Sequence, residues 1–211
     1  MWGGGFRSYF WCLSYNYFNK DPRRTAHWTV TSFASFLGGF AAGVLTNPID
    51  IVYNRQVSDA LYPKHLQRNY ASFLDGLSRV WVEGAIFRGA MASGISYGLL
   101  VGGMSNFYDY LKEYIYWWFG PTTWLRPLIL LPTTFLGICL YLPFDNIKVR
   151  MHNMTPLPNG EMPYTSVFDA FSKISRYEAD VAKYSSPFAF LSGGAPAFWR
   201  CFITLYLVYY K

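Results

Sequence analysis

Two segments of the chain place charged side chains among apolar residues at the same spacing. Asp50 and Arg55 follow one proline by two and seven residues, and Asp145 and Arg150 follow a second proline at the same distances. Lys148 lies between the second acid and its base. Because an isolated charge is costly away from water, opposite charges in such surroundings are expected to pair. These residue types therefore indicate ion pairing between segments.

One further cation, Arg200, lies in an apolar segment near the end of the sequence. A lone arginine inside a membrane segment is costly, which makes it a candidate functional residue. Three roles are open for it: a salt bridge within the chain or to a partner, contact with a substrate, or snorkelling of the guanidinium to the interface.

Side chains that would support catalysis are not grouped in the sequence. His27, His65 and His152 are isolated, no nucleophile and base stand at a recognisable spacing, and there is no phosphate loop. The three cysteines lie 127 and 62 residues apart without a CxxC pair. We therefore expect no enzyme, no metal site and no disulfide, and we interpret His152 as a surface residue.

The elements that must hold these charges are membrane helices. The 211 residues are 52% apolar and 21% aromatic but only 14% charged, too few polar groups to cover a soluble domain. A spanning helix takes about 20 residues, so the chain has room for roughly four. The predicted spans cover about residues 28–53, 89–110, 124–147 and 195–210.

The net charge of +6 is concentrated in the two long connections between these spans. No run of five basic residues indicates nucleic-acid binding. The positive-inside rule places both connections on the same side of the membrane. Their basic residues are Arg55, Lys64, Arg68, Arg79 and Arg88 in the first, and Lys148, Arg150, Lys173, Arg176 and Lys183 in the second.

The two halves of the chain are copies of each other. Matching residues recur at an offset of 94 or 95; beyond the charged motifs, these are Tyr70 and Tyr164, Asp75 and Asp169, and Glu83 and Glu178. One repeat therefore consists of a span, an amphipathic surface helix such as 70–82, and a second span.

The repeated motifs resemble those of the mitochondrial carrier family. Pro-Ile-Asp-Ile-Val-Tyr-Asn-Arg begins at position 48 and Pro-Phe-Asp-Asn-Ile-Lys-Val-Arg at position 143, each followed downstream by a glycine before the next span. The chain looks most like the second and third repeats of the oxoglutarate/malate and dicarboxylate branch. The resemblance implies an all-α membrane protein with two carrier repeats, about four transmembrane helices and amphipathic surface helices on the matrix side.

The resemblance also implies a division of the chain. We expect an aromatic and basic N-terminal extension at 1–27, a second-repeat-like unit at 28–112, a linker at 113–126 and a third-repeat-like unit at 127–211. The resemblance implies three repeats in a complete carrier, of which we expect the first to be absent from this chain.

Roles for the charged residues follow from the resemblance. It implies a matrix salt-bridge network of Asp50, Lys148, Asp145, Arg55 and Arg150, in which Asp50 pairs with Lys148 while Asp145 needs a base from the missing repeat. Asp109 and Lys112 look like the family's network on the opposite membrane face. Arg200 matches the arginine expected in the last span, whereas Ser96 replaces the one expected in the second span of that branch.

Two further sets of residues have implied roles. Phe87, Arg88 and Gly89 look like the family's cardiolipin site, so a phospholipid is the one bound molecule we expect, with no other cofactor. Small residues at four-residue spacing permit close helix approach, either within the chain or towards another subunit. They are Gly39, Gly43, Gly94, Gly98 and Gly102.

Two functions are compatible with these features. The first is a non-transporting accessory subunit of a respiratory-chain complex of the mitochondrial inner membrane, such as cytochrome c oxidase or a supercomplex, with other membrane subunits as partners and no nucleic acid. The missing repeat and the loss of the arginine at Ser96 favour it. The alternative is a dicarboxylate/oxoglutarate-type transporter whose ring another chain completes.

Overall fold

The computed structural model describes residues 13, 28–64, 67–120, 125–156, 160–181 and 194–209. Six helices are arranged along these residues, and the two halves repeat the order long helix, short helix, long helix. The helices are α1 (Trp28–Asp59), α2 (Phe73–Val82), α3 (Ala90–Phe119), α4 (Leu125–Asn153), α5 (Val167–Val181) and α6 (Gly194–Tyr209). The described part of the chain is thus all-α, as predicted.

Two of these helices, α1 and α4, are long and apolar enough to cross a membrane by length and composition. The helix α6 has only 16 residues, and α3 is rich in glycine and serine over its first half. The helix α3 packs against both α1 and α4. Contacts between neighbouring long helices link them in the order α1, α3, α4 and α6.

The predicted linker at 113–126 is largely helical. The helix α3 continues through Phe119, and α4 begins at Leu125. The physical reason lies in packing, since Leu111, Ile115 and Tyr116 on the last turns of α3 pack against the buried start of α4.

The short helices α2 and α5 begin with the same cap, built twice. The Ser72 hydroxyl accepts a hydrogen bond from the Asp75 amide at 3.2 Å, and the Asp75 carboxylate accepts one from the Ala71 amide at 3.1 Å. In the second repeat, Ser166 and Asp169 make the equivalent bonds at 3.1 Å each. Side-chain oxygens satisfy helix N-terminal amides in this way, so the repeat read from the sequence extends to local structure.

Glycines of α1 lie against the backbone of α3. A Cβ added at Gly39 would stand 2.5 Å from the Tyr97 carbonyl oxygen, and one added at Gly43 would stand 2.5 Å from that of Ser93. On α3, Gly94 and Gly98 face the rings of Phe40 and Phe36 of α1. A Cβ added at Gly102 would instead make an ordinary van der Waals contact, with its closest neighbour at 3.4 Å. Four of the five predicted packing glycines therefore stand at contacts too close for a larger residue.

Candidate functional site

A buried ammonium group lies between two carboxylates near one end of the long helices. Lys148 Nζ on α4 is 2.9 Å from Asp145 Oδ1 and 3.6 Å from Asp50 Oδ2 on α1. The lysine side chain is 6% exposed, whereas the two carboxylates are about a fifth exposed. One lysine thus neutralises charges from both halves of the chain, while both carboxylates are partly exposed.

An aromatic residue of α3 completes this charged cluster. The Tyr97 hydroxyl donates a hydrogen bond to Asp50 Oδ2 at 3.0 Å, and its ring centroid lies 4.7 Å from Lys148 Nζ. Contact of a cation with a ring face adds attraction in a partly desolvated setting. Three helices therefore meet at one ion-pair cluster.

The expectation that Asp145 lacks a base is wrong. Lys148 stands three residues after it on the same helix, a separation that brings side chains together on one face. The ammonium is closer to this carboxylate than to Asp50. The signal was present in the sequence as an i,i+3 acid–base pair, but reasoning only about pairs between repeats missed it.

Arg55 is placed in a different cluster from Lys148. Its side chain is 2% exposed, and its Nη1 lies 2.8 Å from Glu83 Oε2. The same guanidinium donates to the Tyr70 hydroxyl at 3.3 Å and, through Nε, to the His152 carbonyl at 3.1 Å. Arg55 thus joins the end of α1 to the end of α4. Arg150, its counterpart by position, lies half-buried in the last turn of α4.

His152 is buried, so our interpretation of it as a surface residue is wrong. Its Nε2 lies 3.1 Å from Asn47 Oδ1 and its Nδ1 lies 2.9 Å from Asn54 Nδ2. Since an amide nitrogen donates and an amide oxygen accepts, these contacts fit the neutral ring protonated at Nε2. Asn47 also accepts from the Ser93 hydroxyl at 2.7 Å. The end of α4 is therefore fixed to α1 and α3 by a satisfied polar cluster.

Arg200 has neighbours within the chain. It lies on the exposed part of α6, and its guanidinium donates a hydrogen bond to the Tyr141 hydroxyl. Ser96 is fully buried and donates to the Ser93 carbonyl at 3.0 Å, so it does not face open space.

Asp109 and Lys112 lie near the other end of α3, and both are exposed. No ion pair joins these two side chains; Lys112 Nζ instead lies 5.9 Å from the ring centroids of Tyr108 and of Tyr116. The role of Asp109 and Lys112 in an ion-pair network that closes this membrane face stays a prediction.

Phe87, Arg88 and Gly89 form one wall of a cavity of about 370 Å³. Gly89 has a φ of +71° and begins α3, and Phe87 is 76% exposed. The opposite wall is the start of α5, with Thr165 and Ser166. Burial lowers the pKa of the Arg88 guanidinium, and the nearby charge of Arg55 lowers it further. An anion in this cavity would offset that unfavourable charge. The third-repeat counterpart of this motif, 191–193, lies outside the described residues.

Comparison with known proteins gives several carriers. No protein-family model matches the chain. The chain is 47% identical, over 92% of its length and 52% of the relative's, to the macronuclear solute carrier homolog CR-MSC of Oxytricha trifallax. It is 28% identical to a putative mitochondrial 2-oxoglutarate/malate carrier protein of Neurospora crassa, over 75% of the chain and 49% of the relative.

A third relative is mitochondrial uncoupling protein 2 of Arabidopsis thaliana, at 28% identity over 72% of the chain and 49% of the relative. The chain thus spans about half the length of the curated relatives that it matches.

Proposed function

The chain belongs to the mitochondrial carrier family over the region it shares with these relatives, and from this premise we propose that it forms part of a solute transporter for dicarboxylate anions. The relatives named as mitochondrial carriers imply the mitochondrial inner membrane. The basic residues around α2 and α5 support a matrix location for that end of the helices, because positive segments are retained on the negatively charged side.

The ion-pair cluster of Lys148 is the observation that supports transport most directly. A carrier needs a barrier between helices that closes and opens again. The contact between Asp50 and Lys148 joins α1 to α4 at 3.6 Å, and its carboxylate is 20% exposed. Since water can solvate the acid when the helices separate, breaking this contact costs less than breaking a fully buried pair.

The dicarboxylate class is supported by the relatives' names and by Arg200. One relative is named as a 2-oxoglutarate/malate carrier. A guanidinium binds a carboxylate with two parallel hydrogen bonds, and Arg200 presents one on the exposed part of α6. Its hydrogen bond to Tyr141 would place a carboxylate bound there near the ion-pair cluster, because Tyr141 lies one helical turn from Asp145 on α4.

The transporter hypothesis fits the comparisons better than the accessory-subunit hypothesis does. The relatives reported above include a solute carrier homolog and a putative mitochondrial 2-oxoglutarate/malate carrier protein. Association with other membrane subunits remains a separate prediction, as does a respiratory complex as the site of assembly.

A bound phospholipid at Phe87, Arg88 and Gly89 is part of the proposal. The cavity there combines apolar lining from Met91, Ile95 and Met151 with the Arg88 cation. A helix N-terminus adds partial positive charge that favours a phosphate. An anionic phospholipid would therefore hold α3 and α5 together, with its acyl chains along the apolar wall.

The test is solute exchange by the protein isolated from mitochondria together with whatever it binds. Reconstituted into liposomes loaded with 2-oxoglutarate, it should take up labelled malate, the two solutes in the name of one relative. Lys148→Gln and Arg200→Gln should each abolish most of the uptake, whereas Arg176→Gln, an exposed position on α5, should leave it unchanged.

Absence of exchange by correctly folded protein would contradict the proposal. If that protein also migrated with a respiratory complex on native gels, the accessory-subunit hypothesis would replace it. If the protein exchanged another class of solute, and this exchange also required Lys148, the proposal of transport would stand. The assignment of dicarboxylates as the substrates would then be wrong.

A further inference from the structure

The last nine residues of α3 extend beyond the start of α1. The Ser32 hydroxyl near the start of α1 donates to Asn106 Oδ1 at 2.7 Å, while Gly43 faces Ser93, so the two helices run antiparallel. Because α1 begins at Trp28, about one turn from Ser32, the residues of α3 after position 110 have no part of α1 beside them.

The length of α3 places this end outside the hydrocarbon core. Thirty residues make a helix of about 45 Å, against a hydrocarbon thickness of about 30 Å. The N-terminus of α3 lies beside the surface helices, since Ala92 packs in one cluster with Val167 and Ala170 of α5. The excess length therefore projects at the opposite membrane face.

The projecting end of α3 has three sides of different chemistry. One side packs inwards, with Tyr108 buried beside Ile129 of α4. A second side carries exposed charges, Asp109, Lys112 and Glu113. These charges exclude the hydrocarbon core as the surroundings of these turns, because each would be costly there.

The third side is an aromatic stripe, which we define as Tyr110, Tyr114, Trp117 and Trp118. These residues follow i, i+4, i+7, i+8 spacing and thus share one face of the helix. Their exposed fractions are 71%, 56%, 77% and 62%. Each ring combines a large apolar surface with one polar atom, a combination enriched where apolar and wet surroundings meet.

The same ridge of α3 changes character where α1 ends. At four-residue spacing it presents Ala90, Gly94, Gly98 and Gly102, then Asn106, then Tyr110, Tyr114 and Trp118. Small residues occupy the ridge where α1 covers it, as at Gly94 and Gly98, and large aromatics begin where the cover stops. Packing against α1 therefore does not account for the aromatic stripe.

We propose that the aromatic stripe lies in the lipid headgroup layer of the membrane face opposite α2 and α5, and that it fixes the depth of α3 in the bilayer. The charged side then faces water and the packed side holds α4. This surface would keep α3 at a constant height while other helices move during transport, yet it does not depend on transport being the function.

Fluorescence quenching by nitroxide lipids tests the location of the stripe. The full protein is reconstituted in phosphatidylcholine vesicles carrying the nitroxide either on the headgroup or near the acyl-chain end. The signal of Trp117 and Trp118 is obtained as the difference between the wild type and W117F/W118F. We expect headgroup nitroxide to quench this difference signal about twofold more than the deep nitroxide, since aromatic belts lie at headgroup level.

Trp199 supplies the matched control. It is 59% exposed on α6, next to Phe198, which packs against the cluster of Leu100, Ile138 and Leu142 midway along the long helices. The signal of Trp199, obtained as the difference between the wild type and W199F, should therefore be quenched more by the deep nitroxide than by the headgroup nitroxide. Stronger quenching of the stripe by the deep nitroxide, or equal insensitivity to both because protein covers it, would overturn the proposal.

Discussion

Lys148 Nζ is 2.9 Å from Asp145 on its own helix and 3.6 Å from Asp50 across the interface with α1. The tighter contact is local and the looser one joins the two halves of the chain. A single cation thus serves two acids, and the contact across the interface can be lost without leaving the lysine unpaired.

This arrangement predicts unequal costs for removing each partner. Lys148→Ala should destabilise the protein by about 3 to 5 kcal/mol, because it leaves two carboxylates without a cation. Asp50→Asn should cost about 1 kcal/mol, since Lys148 keeps Asp145 and the amide can still accept from Tyr97. Thermal unfolding in detergent measures both, and equal losses would contradict the asymmetric pairing.

Gly43 and Gly102 should respond oppositely to alanine. Gly43→Ala places a methyl 2.5 Å from the Ser93 carbonyl oxygen, and separating the two backbones should cost about 1 to 3 kcal/mol. Gly102→Ala meets its closest neighbour at 3.4 Å and should be neutral or stabilising by up to about 1 kcal/mol through helix propensity. Melting temperatures of the two variants decide the matter; a destabilised Gly102→Ala would refute this distinction.

His152 should be needed for stability. Replacement by alanine removes the partner of Asn54 Nδ2 and empties a fully buried site, so we expect a loss of about 2 to 4 kcal/mol. His152→Gln keeps a donor and an acceptor and should recover part of this loss. Urea unfolding of the detergent-solubilised protein compares them, and an alanine variant as stable as the wild type would argue against the polar cluster.

Arg88 should control binding of anionic phospholipid. Added cardiolipin should raise the melting temperature of the wild type, because a ligand of the folded state stabilises it. Arg88→Gln should abolish most of that increase. Arg79→Gln, on the exposed face of α2, serves as the control for general charge loss and should retain the increase. If Arg88→Gln showed the full increase in melting temperature with cardiolipin, the proposed binding site at Arg88 would be wrong.

Acid should weaken the caps of α2 and α5. The Ala71 amide and Arg79 hold the pKa of Asp75 below its ordinary value, and Lys173 and the Thr165 amide do the same for Asp169. A lowered folded-state pKa stabilises the fold above the unfolded pKa of about 4, and this contribution is lost as the pH falls through the folded value. Circular dichroism should show helix loss below about pH 4, smaller in the Asp75→Asn/Asp169→Asn variant; an identical titration of both proteins would rule out these carboxylates.

The sequence by itself determined the features that arise from local or repeated patterns. Apolar runs predicted the long helices, because a run of about 20 apolar residues is sufficient to define a span. The offset of 95 residues predicted the two repeats, and the structure shows their helix caps at Ser72 and Ser166 built alike. The pairing of Asp50 with Lys148 was instead implied by the resemblance to the carrier family, and the two side chains lie 3.6 Å apart.

Only the tertiary structure decided how polar side chains share their partners. His152 looked like a surface residue because nothing near it in sequence reveals Asn47, 105 residues away. Arg55 pairs with Glu83 and donates to the end of α4, and Lys148 lies between two acids, closer to Asp145 than to Asp50. These pairings depend on which groups the packed helices bring within hydrogen-bond or ion-pair distance of one another, and groups far apart in sequence reach that distance only in the folded chain.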